Sequence, residues 1–307
     1  MKRHIFKIAI VVLTLIQIQG YSQSMPMYSQ YMYNMTNINP AYAGSRGVPS
    51  LSFMWREQWA GLEGAPSTKS ISFDMPTDNK KVGFGIQLFD DKYVNVIHRT
   101  GLNLYYNLKI PVSEHGVLSL GLKGGFYNDM KQLTSVNLGA ITAYDEAYAN
   151  NFNKLVPLAG AGIYYNDDHF YAGFSAPDVI TFSKVQTYKS DSSLYQVNEL
   201  HYFLTAGYSF DVNEDVTVKP SVLFKMVSGA PIQADLNTNV WFKNTLGVGA
   251  SYRTGESVLG MAEIQVTPQL RIGYAYDMPF KIPNTSELFL RVELGQLFPN
   301  NKKYKIY

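Results

Sequence analysis

Between Thr267 and Phe298 apolar and polar positions alternate with a period of two. Leu270, Ile272, Tyr274 and Tyr276 interleave with Arg271, Gly273, Ala275 and Asp277. After a break at Met278–Ser286, Leu288, Leu290, Val292 and Leu294 interleave with Phe289, Arg291, Glu293 and Gly295. Successive Cβ atoms of a strand point to opposite faces, so this period predicts two strands, each with an apolar face and a face of charge and glycine. A soluble sandwich would bury the apolar face, whereas a membrane barrel would turn it to lipid and line its lumen with the charges.

The same texture fills the chain from Val48. Leu51, Phe53 and Trp55 alternate with Ser52, Met54 and Arg56; Ile71, Phe73 and Met75 follow. Val82, Phe84, Ile86 and Leu88 have Gly83, Gly85 and Gln87 between them, and Leu102, Leu104, Tyr106 and Leu108 alternate with Asn103, Tyr105, Asn107 and Lys109. Leu118, Leu120, Leu122 and Phe126 face away from Ser119, Gly121, Lys123 and Gly125. Further strands are predicted over 156–165, 170–174, 202–210, 218–226, 232–240, 246–252 and 258–266, giving about fourteen in all, an even number as single-chain bacterial barrels require.

Loop lengths test this without reference to face. The even-numbered connections are short: Pro76–Lys81, Val112–Gly116, Asn166–Asp168, Asp211–Asp215, Lys243-Asn244 and Thr267-Pro268. The longest, Asn128–Lys154 and Ala176–Glu199, are odd-numbered, as is Met278–Ser286. Short periplasmic turns alternating with longer extracellular loops, with both termini periplasmic, is the arrangement of outer-membrane barrels, and a sandwich gives no reason for it. The reading is an all-β, single-chain transmembrane antiparallel barrel over residues 48–298.

Ahead of it, Met1–Ser22 reads as a signal peptide: Lys2, Arg3 and Lys7 precede the apolar run Ile8–Ile18, and Gly20 and Ser22 stand at −3 and −1 for cleavage before Gln23. That run is too short to span a bilayer as a helix, and no other stretch approaches the length needed. A membrane protein made from this chain must then be a closed barrel. Residues 23–47 differ from everything downstream. Asn39-Pro40 and Gly44-Ser45 are turn signals, while Met25, Met27, Tyr28, Tyr31, Met32 and Tyr33 are side chains that seek burial.

Ser29-Gln30-Tyr31-Met32, followed by Asn39-Pro40-Ala41-Tyr42-Ala43-Gly44-Ser45-Arg46-Gly47, resembles the N-terminal signature of the PorP/SprF family, outer-membrane proteins of the type IX secretion system in Bacteroidota. Trp55-Arg56-Gln58-Trp59 and Gly64-Ala65-Pro66 before Ser70-Ile71-Ser72-Phe73-Asp74 are similar to that family too. The resemblance is densest over residues 28–90. It implies a component that contacts the periplasmic ring of the secretion machine and takes part in secreting or anchoring surface proteins, gliding adhesins among them. It carries over no catalytic residue and no cofactor.

Composition agrees with a lipid-facing barrel: of 307 residues 46% are hydrophobic and only 16% charged, with 23 Tyr for the rims. The absence of cysteine removes thiol and metal-thiolate chemistry, and lipoprotein anchoring with it. Without the three cations of the leader, the net charge of +2 falls to near −1, which suggests no nucleic-acid partner. His98, His115, His169 and His201 show no metal-ligand spacing. Asp90-Asp91 and Asp167-Asp168 are assigned to turns. There is no G-x-S-x-G, Walker A or dinucleotide motif, so no enzyme is expected, although a Ser–His pair assembled at the rim by folding would escape such a scan. Gly83-Phe84-Gly85 and Gly247-Val248-Gly249 read as relief of crowding in strands.

The inward frame instead collects charge: Arg56, Asp74, Arg99, Lys109, Lys123, Lys219, Lys225, Arg253, Glu263, Arg271, Asp277, Arg291 and Glu293. A barrel of this size encloses space that water or polypeptide must fill. Residues 23–47 are expected to fold into it as a plug, with Tyr31, Tyr33 and Tyr42 as anchors and Asn39, Pro40, Gly44 and Arg46 completing the motif. Residues 299–307, with Lys302, Lys303 and Lys305, would hang in the periplasm. The rival readings are a plugged transport barrel for hydrophobic small molecules, against which the polar lumen argues, and a secreted lectin-like sandwich.

Overall fold

The computed structural model describes residues 30–135, 150–186, 193–197, 200–227 and 230–295. The leader, Met25, Met27, Tyr28, Ser29, Phe298, the basic tail and the middle of both long loops lie outside the described residues. The strands are β1 (Ser50–Glu57), β2 (Ser67–Pro76), β3 (Val82–Tyr93), β4 (Ile97–Pro111), β5 (Val117–Lys131), β6 (Phe152–Asn166), β7 (Phe170–Gln186), β8 (Ser193–Val197), β9 (His201–Tyr208), β10 (Phe210–Asp211), β11 (Val216–Val227), β12 (Gln233–Phe242), β13 (Leu246–Arg253), β14 (Ser257–Gln265), β15 (Leu270–Pro279) and β16 (Thr285–Glu293). Fourteen of them make a closed antiparallel barrel; β8 folds back on the end of β7, and β10 continues β9 beyond Ser209. Closure is the β1–β16 ladder, from Ser50↔Glu293 to Glu57↔Ser286.

The period of two sets the faces. Leu104, Tyr106, Leu108, Leu120, Leu122, Tyr274 and Tyr276 are exposed on the outside, while the intervening Tyr105, Asn107, Ser119, Ala275 and Asp277 are buried within. An exposed apolar wall around a polar-lined interior inverts the soluble pattern, and hydrocarbon is the solvent that suits it. The turns at 77–81, 112–116, 167–169, 212–215, 243–245 and 266–269 crowd one end, the periplasmic one in barrels of this kind. In one of them the Asp167 carboxylate accepts the backbone N–H groups of His169 (2.9 Å) and Phe170 (2.7 Å). Slight burial works the other way, yet these donors hold its pKa below the usual carboxylate range.

Several boundaries differ from the sequence reading. Asp90-Asp91 lies within β3, not in a turn: Asp91 is buried facing inward, and the chain reverses at Val94 and Asn95, both at positive φ. The two long loops are shorter than expected, because β5 runs to Lys131, β6 starts at Phe152 and β7 continues to Gln186. Strand pairing there outlasts the apolar alternation, since ladder hydrogen bonds impose no composition above the lipid. The final strand stops at Glu293 rather than near Phe298. In β7, Pro177 cannot donate to a ladder, and the register jumps from Ala161↔Ala176 to Ala159↔Ile180 as a bulge.

Candidate functional site

Gln30 to Val48 lie inside the barrel and are buried except for Asn37, which is half-buried. Asn and Pro interrupt any regular helix, leaving three single 3-10 turns, Tyr31–Tyr33, Met35–Asn37 and Pro40–Tyr42. The last is capped by the Asn39 side chain, which accepts the Ala41 N–H at 3.0 Å, with Pro40 at the first position where no N–H is needed.

An irregular backbone surrounded by protein has to find partners in its surroundings, and here the inward side chains of the wall supply them. The Gln30 N–H donates to Glu287 (2.8 Å), the Gly44 N–H to Asp74 (2.9 Å), and Asn107 donates to the Ala43 carbonyl (2.9 Å). Ser175 donates to the Ile38 carbonyl (2.6 Å), Lys109 to that of Gly44 and Arg291 to that of Tyr33, which also accepts from Arg46 of the segment itself. Side chains join in: Asn237 donates to the Tyr31 hydroxyl (2.7 Å), Asn34 to Ser72 (3.0 Å), and Asn39 to the Ile163 carbonyl (3.0 Å). The wall also makes room. A Cβ on Gly121 would meet the backbone of Ala41, and one on Gly83 the Ala43 carbonyl oxygen. Close approach of this segment, rather than crowding within the sheet, is therefore what Gly83 accommodates. Gly44 itself sits at φ +69° against the Met75 carbonyl.

Contrary to expectation, the interior is not lined by charge alone. Tyr31, Met32, Tyr33, Met35 and Tyr42 pack with Met54, Tyr164, Tyr171, Phe203, Leu223, Trp241, Met261 and Phe289, all inward residues of the wall. Tyr33 stacks on Phe289 at 5.7 Å, and Tyr42 meets Tyr164 edge-on at 5.4 Å. The sequence reading overlooked this lining. Its signal was present in Met54 and Phe289, which stand on the charge-bearing parity.

Two charged layers border this apolar middle. Toward the loop end, Arg253 makes a bidentate pair with Asp235 (2.9 Å) and reaches Asp277 (3.3 Å), while Arg56 reaches Glu287 (3.1 Å). Toward the turn end, Arg46 pairs with Asp74 (3.4 Å), Arg271 with Glu263 (3.1 Å) and Arg291 with Glu293 (3.3 Å). Arg99 and Lys123 stand apart in the outer half: Arg99 pairs with Asp129 (3.0 Å) between the Tyr93 and Tyr127 rings, and Lys123 with Asp178 (2.8 Å) on the β7 bulge. Glu287 and Asp178 went unremarked in the sequence, the latter because a bulge hides its face. Among the described residues no cluster of three or more acidic or histidine side chains is arranged to hold a metal ion.

A closed barrel with an apolar belt, short turns at one end and a polar-lined interior defines an outer-membrane β-barrel protein. The model of the family described as type IX secretion system membrane protein PorP/SprF matches residues 20–291. The chain belongs to the PorP/SprF family, and with it to the outer-membrane components of type IX secretion. No curated protein sequence is significantly similar to it. Among solved structures it is similar to a Pseudomonas aeruginosa FadL homologue (11% identity, 88% of this chain and 95% of that one, TM-score 0.49). It is likewise similar to the Ralstonia pickettii toluene transporter TbuX (9% identity, 90% and 96%, TM-score 0.46) and to the Acinetobacter baumannii protein Omp33 (9%, 80% and 98%, TM-score 0.44). These likenesses are remote, and nothing about ligands passes from them to this chain.

Proposed function

We propose that this chain is a non-enzymatic, plugged platform of the type IX machine. Its turn end docks on the periplasmic ring, and the connections between β5 and β6 and between β7 and β9 meet proteins being secreted or anchored at the surface, gliding adhesins among them. One observation carries the reading: residues 30–48 hydrogen-bond to the wall around the lumen, which favours a rigid support over an open pore. Recognition then falls to turns and loops held by a stable scaffold. Cross-linking in the native outer membrane followed by mass spectrometry of the adducts tests it. Ring proteins or secreted cargo are the expected partners; recovery of lipid alone refutes it.

A second reading, a plugged transporter of hydrophobic small molecules, is favoured by one feature. Tyr127, Val156 and Leu158, with Phe89 against them, form an apolar cluster on the inner wall of the outer half. Binding of an apolar fluorescent probe, abolished by Val156→Asp, would support it.

A further inference from the structure

The turn end of the lumen gathers five cations, Lys109 included, against four carboxylates. Lys219 is the fourth residue of β11, Arg271 the second of β15, Arg291 the third from the end of β16, and Arg46 lies just ahead of β1. They form one group: Arg291 lies within electrostatic reach of Arg46 and Arg271, and Lys219 of Arg271 and Arg291. Glu263 and Glu293 stand among them, and Asp211 reaches Lys219 from the turn below. Asp74 pairs with Arg46 but also serves the Gly44 N–H and Lys109.

Two details mark the group as unfinished. The Nε of Arg46, a residue only 3% exposed, has no acceptor among the described residues. The Nε of buried Arg291 faces the Glu293 carboxylate at 3.3 Å without the angle of a hydrogen bond. At the opening, Arg271 and Lys219 lie over the Trp241 ring, at 4.6 and 5.8 Å from its centroid. The Arg271 Nε donates to Gln265 (2.7 Å) and lies 3.1 Å from Glu263, so stacking by the ring face leaves the two terminal nitrogens of the guanidinium to bind an oxyanion in the plane.

We propose that this mouth binds polypeptide carboxylates, presented by an acidic segment or a C-terminus that reaches up from the periplasm. Arg271 and Lys219 stand inside the ring of strands, out of reach of lipid headgroups, at the end that the docking reading assigns to the ring, with buried Arg46 and Arg291 behind them. The inference rests on that reading for the partner's location only.

The test uses the full mature chain in detergent with Trp55→Phe and Trp59→Phe, leaving Trp241 as the single tryptophan reporter. Four peptides are titrated: hexaglutamate and hexaglutamine, each with a free and an amidated C-terminus. Binding of the acidic or free-terminus forms, weakened by salt and weakened about tenfold or more by Arg271→Gln, supports the site and tells the two carboxylate sources apart. Heat-modified gel migration confirms that the variant folds. Equal binding of amidated hexaglutamine overturns the site, and so does an Arg271→Gln variant that binds like the parent. Response to inorganic sulfate but to no peptide also overturns it. No peptide binding alongside normal cross-linking to the ring removes this site and spares the platform; the converse spares the site alone.

Discussion

Removing the Asp74 side chain should release the segment that lies inside the barrel while leaving the barrel standing. Asp74 accepts the Gly44 N–H at 2.9 Å, pairs with Arg46 at 3.4 Å, and is itself buried. Its strand is held by backbone pairing to Ser50 and Gly85, which a side-chain change does not touch. Asp74→Ala leaves a buried guanidinium and an N–H without their acceptor, a loss of about 3–5 kcal/mol by the measure of broken buried pairs. That cost falls on the seated arrangement, since an unseated Arg46 regains water. At about 1.4 kcal/mol per tenfold, the open-to-closed ratio should rise roughly a hundred- to several-thousand-fold. Single-channel recording in planar bilayers reads that ratio directly. Asp74→Asn keeps an acceptor for Gly44 but drops the charge, so it should fall between parent and alanine. Arg99→Gln, in the outer half away from the segment, should leave the trace unchanged. A folded Asp74→Ala barrel that conducts no more often than the parent would refute the idea that this segment closes the lumen.

Gly121→Leu should open conductance by steric means, because its side chain needs the space of Ala41; an unaltered closed trace with normal gel migration would contradict this. Leu290→Arg, in the middle of β16 on the lipid side, should cost about 2–4 kcal/mol in urea unfolding from vesicles, and a negligible cost would mean that the outer face is wrongly assigned. Arg253→Met should cost about 3–5 kcal/mol by stranding Asp235 and Asp277. Adding Asp235→Leu should recover part of that loss, and strictly additive costs would show that the pair does not interact.

The barrel was legible because two independent signals in the chain agree. Alternation such as Leu104-Tyr105-Tyr106-Asn107 gives the faces, and short even-numbered turns such as Lys243-Asn244 give the sidedness. Neither depends on contacts distant in sequence. What could not be read is set by such contacts. The extension of β7 past Ala176 is decided by pairing with β6 and β8, not by its own composition. Asp90-Asp91 has turn composition, yet its backbone pairs with Thr100 and Arg99 across β3–β4, and the strand wins. A pattern of residue types locates a turn only where no partner strand competes for it.

The lining of the lumen shows a deeper limit. Parity in a strand says which side of the wall a residue occupies, not what waits there. Met54, Trp241 and Phe289 share the parity of Arg56, Asn239 and Arg291, and a water-filled pore would have left them exposed. They are buried because Tyr31, Tyr33 and Met35 come from the other end of the chain to cover them. The charged inward residues are explained in the same way: Asp74, Lys109, Glu287 and Arg291 serve backbone groups of that segment. An inward charge read alone suggests a polar channel, whereas the same charge bonded to a peptide group belongs to a filled one. What separates the two is whether an irregular, Asn- and Tyr-rich segment elsewhere in the chain has backbone groups that its own turns do not satisfy, as the Gln30 and Gly44 N–H groups and the Ile38 and Ala43 carbonyls do not until the wall meets them.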